Sequence, residues 1–253
     1  MAGYELKTDG GLKQAAEALQ RGHEDQQWYR EWIDGLVADF EWIRRSGRGE
    51  RSTFEFQQRL WEDNHVSSVG QGNVSVDRAL KDEGFRTWLA DRSLEPLGDS
   101  PEKRIEFLTG FYEELMKRLE PLCDRAPRLK AFRVLAALFP GELTAICYRR
   151  ALRRLCFAMG GSRGTAPVAR HAFVLTRLTE ALGKPGPDLR DVARRVALPW
   201  LLYAGAVDRD QKEATEEPTS TPGEEKLIPL PASRRRRGAC PKSAGRRFMK
   251  LES

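Results

Sequence analysis

Apolar positions recur at helical spacing over most of the first two hundred residues. Between residues 12 and 45 they return every three or four positions, which predicts two helices with a break at Arg21-Gly22-His23. A last predicted helix is capped by Asp188 and bent by Pro199. The same spacing predicts intervening helices over residues 101–119, 129–139, 150–159 and 168–182. The sequence therefore predicts a mainly α fold, an irregular multi-helix domain with at most short strands.

The helical pattern is interrupted between residues 54 and 76, where an amphipathic run gives way to a polar, glycine-containing loop. The polar side chains before residue 65 compete for backbone hydrogen bonds, which predicts a helix end near Asn64. Beyond the glycines, Val74 and Val76 alternate as in a strand. The loop motif has no role that the residues themselves specify, and it comprises Trp61, Asp63, Asn64, Ser67, Gly70, Gln71 and Gly72.

Beyond Val207 the composition changes to Glu, Thr, Pro and Lys, and a basic tail follows. Ordering a backbone costs about 1–2 kcal/mol per residue, which so few apolar side chains do not recover. The predicted organisation is an α-helical recognition or regulatory domain over residues 1–207 and a disordered linker with a basic tail over residues 208–253.

The net charge of +6 is distributed unevenly along the chain. Residues 1–124 carry 17 Lys and Arg against 25 Asp and Glu, whereas residues 125–195 carry 15 against 4. The basic character therefore belongs to the middle of the chain and to the tail, and it indicates a polyanionic partner such as DNA.

Arginines in the basic segments are the candidate nucleic-acid contacts, because a guanidinium donates two hydrogen bonds at once to a phosphate. Four of them share one side of a predicted helix. The candidate residues are Arg149, Arg150, Arg153, Arg154, Arg163, Arg170, Arg234, Arg235, Arg236 and Arg237. The alternative is a solvated surface whose cations pair with the acidic N-terminal half. The sequence leaves both interpretations open.

No catalytic residue, cofactor or metal site is predicted from the motifs. Gly70-Gln71-Gly72 lacks the third glycine of a dinucleotide fingerprint, and the glycine-rich loop over residues 160–165 lacks a phosphate-binding lysine, which favours a helix C-cap and turn. The four cysteines have no CxxC spacing and are predicted to be reduced thiols. Glu62, Asp63 and His65 keep a metal-dependent hydrolase as the weaker alternative.

Three stretches together resemble a known family. They are residues 56–64 with 67–72, residues 138–140 leading to Met159-Gly160, and residues 198–203. Their sequences FQQRLWEDN, SSVGQG, LFP and LPWLLY resemble the N-terminal region of McrB-type AAA+ proteins, the motor subunits of modification-dependent restriction systems. The resemblance implies a target-recognition or regulatory module joined by a linker to a motor. This chain has no Walker A sequence, so catalysis would belong to a motor partner or a missing domain, as in a truncated or frame-shifted product.

The leading hypothesis is a non-catalytic DNA-recognition or regulatory module in phage or foreign-DNA defence, with an AAA+ motor or nuclease subunit as a further partner. The alternative is a protein–protein interaction module without nucleic-acid binding. No run approaches the roughly 18 apolar residues of a membrane span, and the first residues lack the features of a signal peptide. The sequence thus predicts a cytoplasmic protein with no membrane partner.

Overall fold

The structure is a computed structural model that describes residues 4–67 and 74–207. Its first helices are α1 (Asp9–Glu24), α2 (Gln27–Arg45), α3 (Arg48–Arg51), α4 (Phe54–Gln58), α5 (Asp77–Lys81) and α6 (Glu83–Arg92). The later helices are α7 (Pro101–Leu119), α8 (Arg128–Leu138), α9 (Arg149–Ala158), α10 (Pro167–Leu182) and α11 (Leu189–Leu202). A π-helical turn (Arg59–Asp63) continues α4, a 3₁₀ turn (Glu120–Leu122) follows α7, and a second π-helical turn (Tyr203–Val207) follows α11.

The prediction of a mainly α fold is confirmed. The described ranges contain no strand, and their single isolated β-bridge joins Pro140 to Leu143. The prediction of a strand at Val74 and Val76 was wrong, because neither residue pairs with another segment of the described chain, and Val76 instead packs into the core just before α5. The predicted loop residues Gly70, Gln71 and Gly72 and the segment over residues 208–253 lie outside the described residues.

Helix ends follow the capping residues that the sequence offers. The hydroxyl of Ser100 accepts a hydrogen bond from the backbone N–H of Lys103 at the start of α7, and Asp188 caps α11. The break between α1 and α2 lies at Asp25-Gln26, a few residues later than predicted. Helix α1 accommodates Gly22, because one glycine costs a helix only about 1 kcal/mol and the surrounding turns are otherwise intact.

Two hydrophobic clusters hold these helices together. The first cluster is built around α2, α7 and α8, and every residue of α8 from Lys130 to Leu138 is buried. The second cluster joins α1, α9 and α10. Helix α11 contributes to both, with Val196 and Leu201 in the first cluster and Leu198 and Leu202 in the second. It therefore fixes α9 and α10 relative to the N-terminal helices. Within the described ranges, no helix has the length and apolar character needed to cross a membrane.

Candidate nucleic-acid interface

Helix α9 presents a basic side to solvent. Its opposite side packs into the second cluster through Ala151, Leu152, Leu155 and Cys156. Because an α-helix turns through about 100° per residue, the remaining arc carries Arg149, Arg150, Arg153, Arg154 and Phe157. The first three arginines are exposed, Arg154 is half-buried, and Phe157 is 46% exposed. The predicted arrangement of four arginines on one side of a helix is confirmed.

The loop after α9 places a fifth arginine, Arg163, on the basic side of that helix. Gly160 has a φ of 91° and donates its N–H to the carbonyl of Phe157, while Gly161 donates to the carbonyl of Cys156 at 2.8 Å. These two bonds form a Schellman C-cap, as the sequence predicted. A Cβ at Gly161 would lie 2.4 Å from the Cys156 sulfur, so the close turn requires glycine. The guanidinium of Arg163 then lies 4.7 Å from the centre of the Phe157 ring.

The five residues Arg149, Arg150, Arg153, Arg154 and Arg163 are called the arginine face below. A groove of about 680 Å³ adjoins it. The rings of Tyr112 and Phe132 stack in its wall, with centroids 4.5 Å apart. Burial raises the pKa of the Tyr112 hydroxyl, and the nearby cations of Arg128 and Arg149 partly oppose that shift. The lining also includes Arg125 and the acids Glu113, Glu120 and Asp124.

Arg125 and Arg128 were not among the predicted contacts. Arg125 lies in the connection before α8, Arg128 begins α8 and Arg149 begins α9. Only the packing of the two helices brings all three to one groove. The available signal was their position on either side of Pro127 in the basic part of the chain. Five arginines of this region have no acidic partner among the described residues, namely Arg125, Arg128, Arg149, Arg150 and Arg153.

Other cations of the same basic segment are paired with acids. Arg177 bonds to Asp9 at 2.8 Å, and Arg190 bonds to Asp34 at 2.6 Å. Lys130 bonds to Glu62 at 2.6 Å. Pairing with the acidic N-terminal half therefore accounts for these three cations. It does not account for Arg149, Arg150 and Arg153, which have no acidic partner among the described residues.

Arg170 lies behind the arginine face, on α10, and is only 5% exposed. Its Nη2 donates to the carbonyl of Arg163 at 3.2 Å, while its Nε and Nη1 have no partner among the described residues. Burial lowers the pKa of Arg170, Cys156 opposes that shift, and the cations of Arg149 and Arg153 add to it. This predicted contact is thus buried beneath the surface rather than displayed on it.

The described residues of the loop motif make internal contacts. Asn64 donates from Nδ2 to the carbonyl of Leu60 at 2.6 Å, and its Oδ1 accepts from Val66 N and Arg133 Nε. Arg133 Nη2 donates to the carbonyls of Glu62 and Asn64. We call Glu62, Asn64, Lys130 and Arg133 the Arg133 junction. It fastens the end of the π-helical turn to α8.

Other residues in and next to the loop motif also make structural contacts. Trp61 is fully buried and donates from Nε1 to Gln57 at 3.2 Å, whereas Asp63 is exposed and Ser67 is half-buried. The side chain of His65 bonds through Nδ1 to the buried carboxylate of Asp39 at 2.9 Å. Trp61 is therefore a core residue, and His65 helps to fix the segment to α2.

Two of the three side chains required by the hydrolase alternative are engaged in these contacts, and the third, Asp63, is exposed. Glu62 pairs with Lys130, and His65 pairs with Asp39. Across residues 4–67 and 74–207, no three His, Cys, Asp or Glu side chains come together as metal ligands would. The arrangement around Glu62 is accounted for by its structural contacts.

Three of the four cysteines lie in the described residues, and all three are buried and unpaired. Burial raises the pKa of Cys147 to about 12, with Arg133 acting in the opposite direction. Burial also raises the pKa of Cys123 and Cys156. These three are the reduced thiols that the sequence predicted, and their protonated state at neutral pH makes them poor nucleophiles. Cys240 lies outside the described residues.

Comparison with known proteins adds no relative. No protein-family model, no curated protein and no solved structure matches this chain. The resemblance to the N-terminal region of McrB-type proteins therefore stays a prediction, and the argument for function depends on the arginine face and the groove beside it.

Proposed function

We propose that the chain is a non-catalytic DNA-binding module that contacts the phosphate backbone through the arginine face and the adjoining groove. One observation carries the proposal. Exposed arginines of α9, of the start of α8 and of the connection before α8 have no acidic partner among the described residues, although the same basic segment supplies paired cations elsewhere. Unpaired guanidinium groups on one surface favour phosphates, because each contact releases condensed counterions.

The length of helix α9 matches a short stretch of nucleic acid. Helix α9 has 10 residues and so extends about 15 Å, which corresponds to roughly four phosphates of one strand. Phe157 and the half-buried Tyr112, which stacks on the core residue Phe132, place aromatic rings beside the arginines. Aromatic rings beside cations are typical of surfaces that bind unpaired bases together with their backbone. These features support a nucleic-acid ligand over a small inorganic one at the groove.

The biological setting of the proposal comes from the resemblance described above. A module of this kind would act in defence against phage or foreign DNA and would be joined to, or would dock on, an AAA+ motor or nuclease subunit that carries the chemistry. The residues that support this setting are those of the 56–64, 138–140 and 198–203 stretches. A pull-down against the products of neighbouring genes tests it directly.

The salt dependence of DNA affinity tests the DNA-binding proposal. We expect log affinity to fall steeply with log salt for the full chain. Arg128→Gln combined with Arg150→Gln should lower the magnitude of that slope by about 2 and weaken binding to all sequences alike. The matched control is Arg190→Gln, which removes an exposed arginine that is paired with Asp34. Absent or salt-independent binding, or an equal loss in the control, would overturn the proposal.

A second candidate is a protein-interaction module. The observation that favours it is Phe157, a large apolar side chain that is 46% exposed and covered on one side by Arg163. An acidic surface on a motor or nuclease subunit would match this combination. Binding of such a subunit that is lost in Phe157→Ser, together with no DNA binding by the wild-type chain, would establish this second function instead of the first.

A further inference from the structure

Arg170 has an unusual set of contacts for a buried arginine. A guanidinium has five N–H donors, and a buried donor without an acceptor costs free energy that folding must recover elsewhere. Here the only hydrogen bond formed within the described residues is from Nη2 to the carbonyl of Arg163. Nε and Nη1 each expose less than 1 Å² and have no acceptor among those residues. The side chain therefore has hydrogen-bonding capacity that the described protein does not use.

The charges around Arg170 also lack a counter-charge. Arg149 and Arg153, one helical turn apart on α9, both lie close enough to disfavour its positive charge. No carboxylate of the described residues opposes them there. Three cations gathered at one place repel one another, so an anion placed among them would be bound by all three.

Two other buried or half-buried arginines, Arg133 and Arg195, provide a comparison for the hydrogen bonds and neighbouring charges of Arg170. Arg133 is as deeply buried as Arg170, but its Nε and Nη2 reach the side chain and carbonyl of Asn64 and the carbonyl of Glu62. Arg195 donates Nη2 to the carbonyl of Gly183 and leaves Nη1 unpaired, yet no cation shifts its pKa. Of these three, only Arg170 combines unpaired donors with neighbouring cations.

We propose that a phosphate group binds between α9 and α10, where it accepts hydrogen bonds from the unpaired N–H groups of Arg170 and is held on the solvent side by Arg149 and Arg153. The ligand chemistry is a tetrahedral oxyanion with several acceptor oxygens, which suits guanidinium donors. Arg149 and Arg153 are exposed and without an acidic partner among the described residues, so their side chains are free to move aside and admit the anion. This inference rests on the proposed function and deepens it, because it assigns one phosphate contact to a buried side chain.

Thermal unfolding of the full chain tests the phosphate site. Inorganic phosphate is compared with chloride at equal ionic strength and pH. At about ten times its dissociation constant, phosphate should raise the melting temperature by about 3–6 °C, and the shift should keep increasing with the logarithm of the phosphate concentration. Arg170→Met should lose this phosphate-dependent shift. Arg195→Met, which also removes a partly unpaired arginine, should keep it even if its melting temperature is lower. A shift that persists in Arg170→Met, or no shift in the wild type, would overturn the site.

A second variant tests the site if Arg170→Met fails to fold. Arg149→Gln with Arg153→Gln changes exposed side chains only. It should weaken phosphate binding at least tenfold without lowering the melting temperature in chloride, because it removes cations that repel Arg170. Unaltered phosphate affinity in this variant would contradict the proposed flanking role.

Short duplex DNA distinguishes the two sources of the phosphate group. If DNA reproduces the concentration-dependent shift and Arg170→Met abolishes it, the ligand is a backbone phosphate. If inorganic phosphate binds and DNA does not, the site holds a free phosphate and the proposed DNA-binding function fails by itself. If DNA binds with its full salt dependence in Arg170→Met and phosphate has no effect on the wild type, the site fails and the DNA-binding function stands.

Discussion

The Arg133 junction and the surroundings of Arg170 use the same residue type in opposite ways. At the Arg133 junction, a buried guanidinium meets two carbonyl groups and an amide oxygen, and the neighbouring Lys130 meets Glu62. Behind the arginine face, Arg170 is just as buried but forms one such bond, and the cations of Arg149 and Arg153, with no carboxylate opposing them, lower its pKa further. The first region uses arginine to hold the chain together, whereas the second leaves its donors available.

The composition of a basic segment therefore does not by itself identify a binding surface. Between residues 125 and 195, some cations are matched by carboxylates on α1, on α2 and on the first π-helical turn, and others have no acidic partner among the described residues. Matched cations fix the packing of helices. The arginines without an acidic partner are the ones for which a ligand must be sought.

The largest expected effect comes from removing Arg133. Arg133→Met keeps the apolar length of the side chain but leaves Asn64 Oδ1 without one of its donors, and it leaves the carbonyls of Glu62 and Asn64 unpaired next to the core. We expect the free energy of unfolding to fall by about 3–5 kcal/mol, since breaking a buried charged network leaves polar groups uncompensated. Urea unfolding followed by circular dichroism measures this change.

A matched variant at the buried arginine behind the arginine face tests this difference. Arg170→Met removes a guanidinium that lacks acceptors, so in chloride buffer it should cost at most about half as much as Arg133→Met. Equal losses in the two variants would mean that the two regions do not differ as their contacts indicate.

A smaller effect is expected from His171, which neighbours Arg170 on α10. Its Nδ1 accepts hydrogen bonds from the backbone N–H and hydroxyl of Thr144, and burial, together with the Arg170 cation, lowers its pKa from 6.5 to about 3. Between these two values the unfolded chain binds a proton that the folded chain does not. Stability is therefore complete above about pH 6.5 and falls as the pH drops, by up to about 1.4 kcal/mol per unit.

The pH dependence is checked by urea unfolding at pH 7 and at pH 5, above the range in which most carboxylates titrate. The wild type should lose about 1.5–2 kcal/mol from this group over the interval, and His171→Gln should lose that much less. A pH dependence that is the same in the variant would show that His171 is protonated as readily in the folded chain as in the unfolded one.

The smallest effect belongs to the exposed ion pairs. The side chains of Arg190 and Asp34 are 45% and 58% exposed, so water and salt screen their attraction. Arg190→Gln should reduce the free energy of unfolding by no more than about 1 kcal/mol, and a double-mutant cycle with Asp34→Asn isolates the pair. If the coupling energy equalled the decrease in the free energy of unfolding in Arg133→Met, exposed and buried arginine contacts would contribute equally to stability, contrary to this prediction.

Much of the fold could be predicted because it depends on local sequence. Apolar spacing located most helices of the described residues, and Ser100, Asp188 and Gly160 marked helix ends because their side chains or backbone freedom act within a few residues. The arc of arginines on α9 followed from the helical repeat alone. The strand-like alternation at Val74 and Val76 failed because a strand needs a partner segment, which local sequence does not supply.

By itself, the sequence determined the helical class, the basic middle segment and the residues that share the solvent side of α9. Only the tertiary structure decided which cations are matched, because Arg190 and Asp34 are 156 positions apart in the chain and Arg133 and Asn64 are 69 apart. It also decided that Arg170 lies buried behind Arg149 and Arg153 with unpaired donors. Helix formation is governed by neighbours within a few residues. The pairing of charges depends instead on how helices that are distant in sequence pack together, and a local sequence pattern does not specify that packing.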